Sequence, residues 1–523
     1  MDHPEPFRLA IIADAHFHDP RGDFDGAGVD VDGARLVLRT WADTATGIRA
    51  VNESAAALTA ALDRIVAMGI RHVVLAGDYS DDGQAETVRR LAALLHGYQD
   101  RHGLRFHAVP GNHDVYAAHG KHVSTRIVTG PGRTALLTSD RGQAHGGIAT
   151  PAMRCLGQPA GLTPMAAFGL FRQADHLHWE SPFGPDDAPE ARIYDAVAAD
   201  ASVTHRLMDA SYLVEPEPGL WLLMLDANVF EPRPGRSDPT RKKAFLDPSE
   251  AGWNALLHVK PHLLRWIADI TARAAAQRKA LVTVSHYPVL DPFLPAMGAE
   301  AALTPASSLA RRTPGPAVAQ ALIAAGLRWH AGGHLHVHRA NTRDGLTDVA
   351  LPSLVTFPPA FTVVTAGAQG IATEAVSLDD LPPDPMLTAR YRAEGRTDPP
   401  LPYGAFLAAQ FRARVRAVRL PRDWPPQVLD WMQGHHAGDL ADLLALGDAA
   451  LPRDALSDYP LTDLAADLYL LRDGGTLAEG HLPPDRLQRC RRLARHADAS
   501  ADPTVSVTAF WRRFLSVLPD DGS

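Results

Sequence analysis

Hydrophobic positions early in the chain follow two different periods. Residues 8–14, "RLAIIAD", form a short run of mostly apolar side chains, the pattern of a buried strand. Across residues 55–69, Leu58, Leu62, Ile65 and Val66 share one face of a helix. "RHVVLAGD" (71–78) predicts a second buried strand and "QAETVRRLAALLHGY" (84–98) a second helix. "LRFHAVPGN" (104–112) predicts a third strand that ends in a turn. Strand, helix, strand, helix, strand predicts a parallel layered α/β core.

The pattern dissolves after Asn112. Residues from about 115 to 215 mix Gly, Pro, His and short apolar stretches, and we read them as an insertion over the core. A loop of that length would carry elements of its own. Strands resume with "GLWLLMLDAN" (219–228), "ALVTVSHYP" (280–288) and "GLRWHAGGH" (326–334), with a helix over 261–277 between the first two. "DVALPSLV" and "FTVVTAG" suggest a second sheet. The Pro-rich stretches at 377–385 and 396–404 read as linkers. They set off a catalytic part, 1–385, from a mostly helical C-terminal part, 386–523, expected to bury its apolar faces on the first part or on a second copy of the chain.

Composition narrows the function classes. The 523 residues, 46% hydrophobic and 21% charged, are those of an ordinary globular protein large enough for two or three structural units. A formal charge of −9 argues against a dedicated nucleic-acid binder, which needs a basic stripe. Two cysteines, Cys155 and Cys490, are too few for a disulfide framework or a cysteine-based zinc site. The opening residues have no basic region before the apolar run, and no run reaches the ~20 apolar residues of a membrane span. The expectation is a cytoplasmic protein without a membrane segment.

Chemistry enters where the strands stop. The successive strand ends carry Asp14-Ala15-His16, Gly77-Asp78, Gly111-Asn112-His113-Asp114, Ser285-His286 and Gly333-His334-Leu335-His336. Parallel strands present their carboxyl ends along one edge, where open α/β sheets bind ligands. Five ends thus bring acid, amide and imidazole groups to one rim. That donor set suits Mn, Fe or Zn, and two such ions about 4 Å apart can activate a water and neutralise the oxygens of a phosphorus centre under attack.

The series "DAH … GDYSDDG … GNHD … SH … GHLH" resembles the calcineurin-like metallophosphoesterase superfamily, whose blocks occur here in order from Asp14 to His336. The resemblance implies a four-layer α/β/β/α sandwich with an inserted cap region, and hydrolysis of a phosphate ester by a hydroxide between two metals. It implies Asp14, His16 and His336 as ligands of one ion, Asn112, His286 and His334 of the other, and Asp78 as the bridge. It assigns His113 to the transition state and leaving group, and Asp114 to orienting His113. Within "WHAGGHLHVH", His330 is expected to pack inside the strand, and His338 to reach the rim or solvent. Turn or capping roles are expected for Asp81 and Asp82, and capping competes with a place at the site for Asn52 and Glu53. The arginines at 412, 414, 416, 419 and 422 are expected to form a solvated or acid-paired face. The substrate is expected to be a small phosphodiester, with a phosphomonoesterase or nucleotidase as the alternative, a nuclease disfavoured by charge, and a non-catalytic scaffold disfavoured by the complete ligand set.

Overall fold

A computed structural model describes residues 6–115, 117–249, 252–293, 299–305, 307–367, 370–444 and 459–518. The first residues, 1–5, on which part of the reading of the N-terminus falls, lie outside this set. Phe7–Ile12 pairs in parallel with His72–Ala76, and that strand in parallel with Arg105–Val109. The helices Ser54–Ala67 and Ala85–His102 connect them and bury Leu58, Leu62, Ile65 and Leu91, Leu95 in the core. On its other edge Phe7–Ile12 takes Ala360–Gly367 antiparallel, and Gly370–Ser377 completes a five-stranded sheet.

A second sheet of seven strands runs in the order Arg339–Arg343, Leu346–Ala350, Trp329–Gly332, Ala280–Ser285, Leu220–Leu225, Tyr212–Glu217 and His178–Glu180. Its middle is parallel and both edges are antiparallel. The strand Leu220–Leu225 shows how the layers form. Leu220, Leu222 and Met224 point into the core between the sheets, whereas Trp221, Leu223 and Leu225 pack with Leu263, Ile267 and Ile270 of the helix Pro261–Gln277. A strand covered on both faces needs apolar residues at every position, which is why this stretch shows no alternation.

Two expectations are corrected. "DVALPSLV" supplies the strand Leu346–Ala350 of the seven-stranded sheet, while "FTVVTAG" returns to the five-stranded one, because an apolar run reports burial and not its partner. The insertion also begins and ends differently. It does carry its own three-stranded sheet, starting with Ser124–Gly130, and the hairpin Ile193–Val197 with Thr204–Met208. The strands His178–Glu180 and Tyr212–Glu217, however, belong to the seven-stranded sheet.

Beyond residue 385 the described chain is helical. Leu461–Gly474 is buried along almost its whole length at the centre of this part. Hydrogen bonds tie the part to the sheets: Tyr403 Oη donates to the Leu354 carbonyl at 2.9 Å, and Arg339 Nη1 to the Val517 carbonyl at 3.0 Å. Among the described residues no helix is long and apolar enough to cross a membrane.

Candidate metal centre

Each strand end turns sharply, and the turns are unusual. Asp14, His16, Asp78, His334 and His336 all have positive φ, between 39° and 68°. Left-handed backbone is uncommon outside glycine and clusters where a site over-determines the chain. Past the strands, the turns are laced together: the His16 amide donates to the Asp78 carbonyl at 2.8 Å and the Asp14 amide to the Gly77 carbonyl at 3.1 Å. Two glycines permit the close approach. A Cβ on Gly111 would lie 2.3 Å from the Asp78 carboxylate, and one on Gly333 would lie 2.2 Å from that of Asp14.

Among the described residues the donor atoms converge in three overlapping groups of three, Asp14 with His16 and His336, His16 with Asp78 and His113, and Asp78 with His286 and His334, each within 4.8 Å of one another. His336 Nε2 lies 3.0 Å from Asp14 Oδ1. Asp78 Oδ2 is central, 3.3 Å from His286 Nε2 and 3.8 Å from His16 Nε2. Asn112 Oδ1 joins the last group, 3.1 Å from His286 Nε2. The far ring atoms are held by other groups. His286 Nδ1 meets the Ala76 carbonyl at 3.1 Å, His334 Nε2 the Ser249 carbonyl at 2.9 Å, and His16 Nδ1 is 2.6 Å from Arg49 Nη1. Such outer contacts fix the ring and its tautomer in metal sites.

His16 Nε2 is the atom that discriminates. It is buried without a hydrogen-bond partner, 3.8 Å from both Asp14 Oδ1 and Asp78 Oδ2. A buried polar atom without a partner is costly, and a cation held by those carboxylates would satisfy it. Buried carboxylates beside imidazoles form the donor chemistry expected for a hard or borderline ion. The residues present therefore fit a pair of metal ions.

His113 reaches the same cavity, its Nε2 4.0 Å from Asp78 Oδ2, and its backbone amide donates to Asp78 Oδ1 at 2.7 Å. The expected role of Asp114 is corrected. Its carboxylate accepts from the amides of Gly111 at 2.8 Å and Ser80 at 2.9 Å, and from Ser80 Oγ at 2.7 Å. It clamps two turns together. The carboxylate beside His113 is that of Asp82, 2.6 Å from Nδ1, at a position expected only to shape a turn. Adjacent sequence position misled here: two neighbours in a tight turn point in different directions.

The cavity over the centre measures about 290 Å³ and adds residues that no motif marked, among them Arg49, Asp247, Ser249 and Arg312. Arg49, Asp247 and Ser249 come from loops and Arg312 from the end of the short helix Ser308–Arg312, approaches to the rim that leave no local pattern. Arg49 also contacts His113 Nδ1 at 3.3 Å. Asp81 accepts from Arg39, Nη2 to Oδ2 at 2.5 Å. Asn52 pins the Arg39 backbone at both its amide and its carbonyl. Glu53 precedes the helix Ser54–Ala67 without capping it through its side chain, and accepts instead from Tyr391 Oη at 2.8 Å.

The other histidines of "WHAGGHLHVH" separate cleanly. His330 is fully buried between Ser285 Oγ at 2.9 Å and Asp348 Oδ1 at 2.7 Å, so the packing expectation holds. His338 gives its amide to the Asp473 carbonyl at 2.9 Å, and burial lowers its pKa. The C-terminal arginines are largely acid-paired as expected, Arg412 with Asp467, Arg416 with Asp463, Arg419 with Asp473 and Arg422 with Asp423.

Residues 7–148 match a family model described as calcineurin-like phosphoesterase. A dimetal phosphatase structure from Danio rerio is similar at 15% identity, covering 71% of this chain and 100% of its own, with a TM-score of 0.36. A phosphopantetheinyl hydrolase structure from Mycobacterium tuberculosis is similar at 13% identity, covering 67% of this chain and 90% of its own, with a TM-score of 0.26. No curated protein matches the sequence.

Proposed function

We propose that this chain, whose residues 7–148 match a calcineurin-like phosphoesterase model, hydrolyses phosphoric esters and cleaves a small phosphodiester at a centre of two divalent or transition-metal ions. The observation that carries the two-ion reading is His16 Nε2, buried and unpartnered between the carboxylates of Asp14 and Asp78. Asp14, His16 and His336 would hold one ion, Asn112, His286 and His334 the other, and Asp78 both. Mn, Fe and Zn all suit these donors. When bound, the ions supply Lewis-acid charge and a water acidic enough to ionise near neutral pH.

The chain's own groups do the rest. Arg49 and Arg312 line the cavity and offer guanidinium donors to phosphoryl oxygens, a geometry suited to phosphate. His113 stands at the cavity wall with Asp82 against Nδ1 and Nε2 4.0 Å from Asp78 Oδ2, so that Nε2 is the atom that would meet the ester. A proton on Nε2 can pass to the departing oxygen. Asp82 stabilises the charged ring before that transfer. Asp114 keeps Ser80 and Gly111 fixed, and through them the turns that aim Asp78 and Asn112.

The decisive test reconstitutes the full chain with Mn²⁺ and counts ions, then screens mono-, di- and cyclic phosphate esters. About two ions per chain and preferred cleavage of diesters are expected. One ion or fewer at saturation would overturn the dinuclear reading, and preference for monoesters would make the enzyme a phosphomonoesterase or nucleotidase. Asp78→Asn should weaken both ions together, since one carboxylate serves both.

A further inference from the structure

The cleft over the metal centre has a second lobe. Its wall shares Arg312, His334 and His336 with the first and then passes to the C-terminal part of the chain, which contributes Arg414, Arg419 and Arg422. There the helix Tyr403–Arg414 opens into a π-helical turn, Val415–Arg419, before Leu420–Asp423 continues it. The wider turn hydrogen-bonds five residues apart instead of four. Arg414 and Arg419 therefore come one turn apart on the same side, with Arg422 following.

Four guanidiniums and the carboxylates of Asp423 and Asp473 line this lobe, a surplus of positive charge in a chain of formal charge −9. Arg419 is matched to Asp473 at 2.9 Å and Arg422 to Asp423 at 2.7 Å. The other two are not matched by acids. Arg414 donates to the Thr46 carbonyl at 2.9 Å, and Arg312 makes no ion pair among the described residues. Burial, followed by the nearby charges of Arg422, Arg419 and Arg312, holds the Arg414 guanidinium below its usual pKa. Like charges gathered against a partly desolvated wall repel one another, and an anion between them would relieve that repulsion.

We infer that the C-terminal part builds a second anion subsite on the metal rim, and that the substrate is a phosphate ester carrying a further phosphate or carboxylate away from the bond that is cleaved. The inference rests on the proposed function for its link to catalysis, but the subsite itself can be tested without turnover.

Inorganic pyrophosphate is titrated calorimetrically into the metal-free full chain. Arg414→Gln and Arg422→Gln should each weaken binding by about tenfold, the worth of one charge-assisted contact. Arg414→Lys should retain most of the affinity, and circular dichroism melts verify that each variant folds. Equal affinity in folded wild type and both Gln variants would overturn the subsite. If the affinities differ as expected but no ester is ever cleaved, the fault lies in the proposed function.

Turnover then identifies the anion. The Mn²⁺-loaded chain is offered p-nitrophenyl thymidine 5′-phosphate plain, with a 3′-phosphate, and with a 3′-succinate. A kcat/KM about tenfold higher for one decorated ester, carried mainly by KM, is expected, and Arg414→Gln should collapse that ratio towards unity. The preferred decoration tells phosphate from carboxylate. No preference for either would overturn the link to substrate.

Discussion

The buried His330 and the histidines of the rim have opposite fates in this molecule. Ser285, His330 and Asp348 form a complete relay: each imidazole nitrogen has a partner, and the second Asp348 oxygen accepts from the amides of Val289 and Leu290 at 2.8 and 2.6 Å. By its residue types it could pass for a nucleophilic triad, yet all three side chains are sealed from solvent and Ser285 Oγ donates to the Tyr287 carbonyl. On the rim, His16, His334 and His336 sit on left-handed backbone and His16 Nε2 has no hydrogen-bond partner. Residue type does not separate the two groups. Satisfaction and strain do: a finished hydrogen-bond set marks structure, and an unfinished one on a strained turn marks a candidate site.

The largest expected effect that would break this contrast lies at His113. His113→Asn should retain both ions and lose about 10²–10⁴-fold in rate on an alkyl ester, with a smaller loss on a p-nitrophenyl ester whose leaving group needs little protonation. Equal losses on both esters would make His113 a charge stabiliser, and a lost ion would place it among the ligands.

Next comes the relay. Asp348→Ala leaves a buried imidazole and two amides without their acceptor and should cost about 3 kcal/mol of stability. Urea unfolding checks this, while metal analysis of the folded fraction should still find two ions. Loss of ions at unchanged stability would assign the relay to the site.

Asp82 and Asp114 sharpen the contrast on a smaller scale. Asp82→Asn should lower the rate about 10–100-fold and distort the pH profile, since a hydrogen bond to a charged group is worth about 1.5–3 kcal/mol. Asp114→Asn should chiefly lower the melting temperature. The reverse outcome would restore Asp114 as the orienting acid.

Glu53 supplies the smallest effect and a counterexample to be checked. Its Oε2 is also unpartnered, and burial pushes its pKa from 4.5 up to about 7 despite the hydrogen bond from Tyr391. The folded carboxyl therefore keeps its proton through a range where the unfolded one has lost it. Stability should fall as pH rises from about 4.5 to 7 and level off above, by at most about 3 kcal/mol. Glu53→Gln should flatten that fall in urea titrations at pH 5 and pH 8. An unchanged slope would show that Glu53 ionises freely.

Much of the candidate site was legible because its candidate ligands stand at strand ends, where a short apolar run followed by Asp, His or Asn is visible in one dimension. Asp14, Asp78 and His286 are of this kind. Arg49, on a loop, and Arg312, at the end of the short helix Ser308–Arg312, were not legible, since their approach to the rim depends on tertiary packing. Asp82 rather than Asp114 lies against His113 Nδ1, because a turn's side-chain directions cannot be read from the order of residues. In the fold, the parallel strands at 7–109 followed from periodicity, whereas Ala360–Gly367 pairs with a strand some 350 residues earlier, a distance no local pattern spans.

The positive φ values at Asp14, His16, Asp78, His334 and His336 also restrict how this rim could be retuned for another metal. Asn and Asp visit left-handed backbone more readily than most residues. Exchanges among Asp, Asn and His leave the turns intact and alter charge. Replacement by Cys, which would favour softer ions, or by Glu, which would lengthen the reach, asks a poorly suited residue to hold the same strained turn. Metal selectivity in this chain is thus constrained by backbone conformation as well as by donor atoms, and a redesign would have to start with the turns.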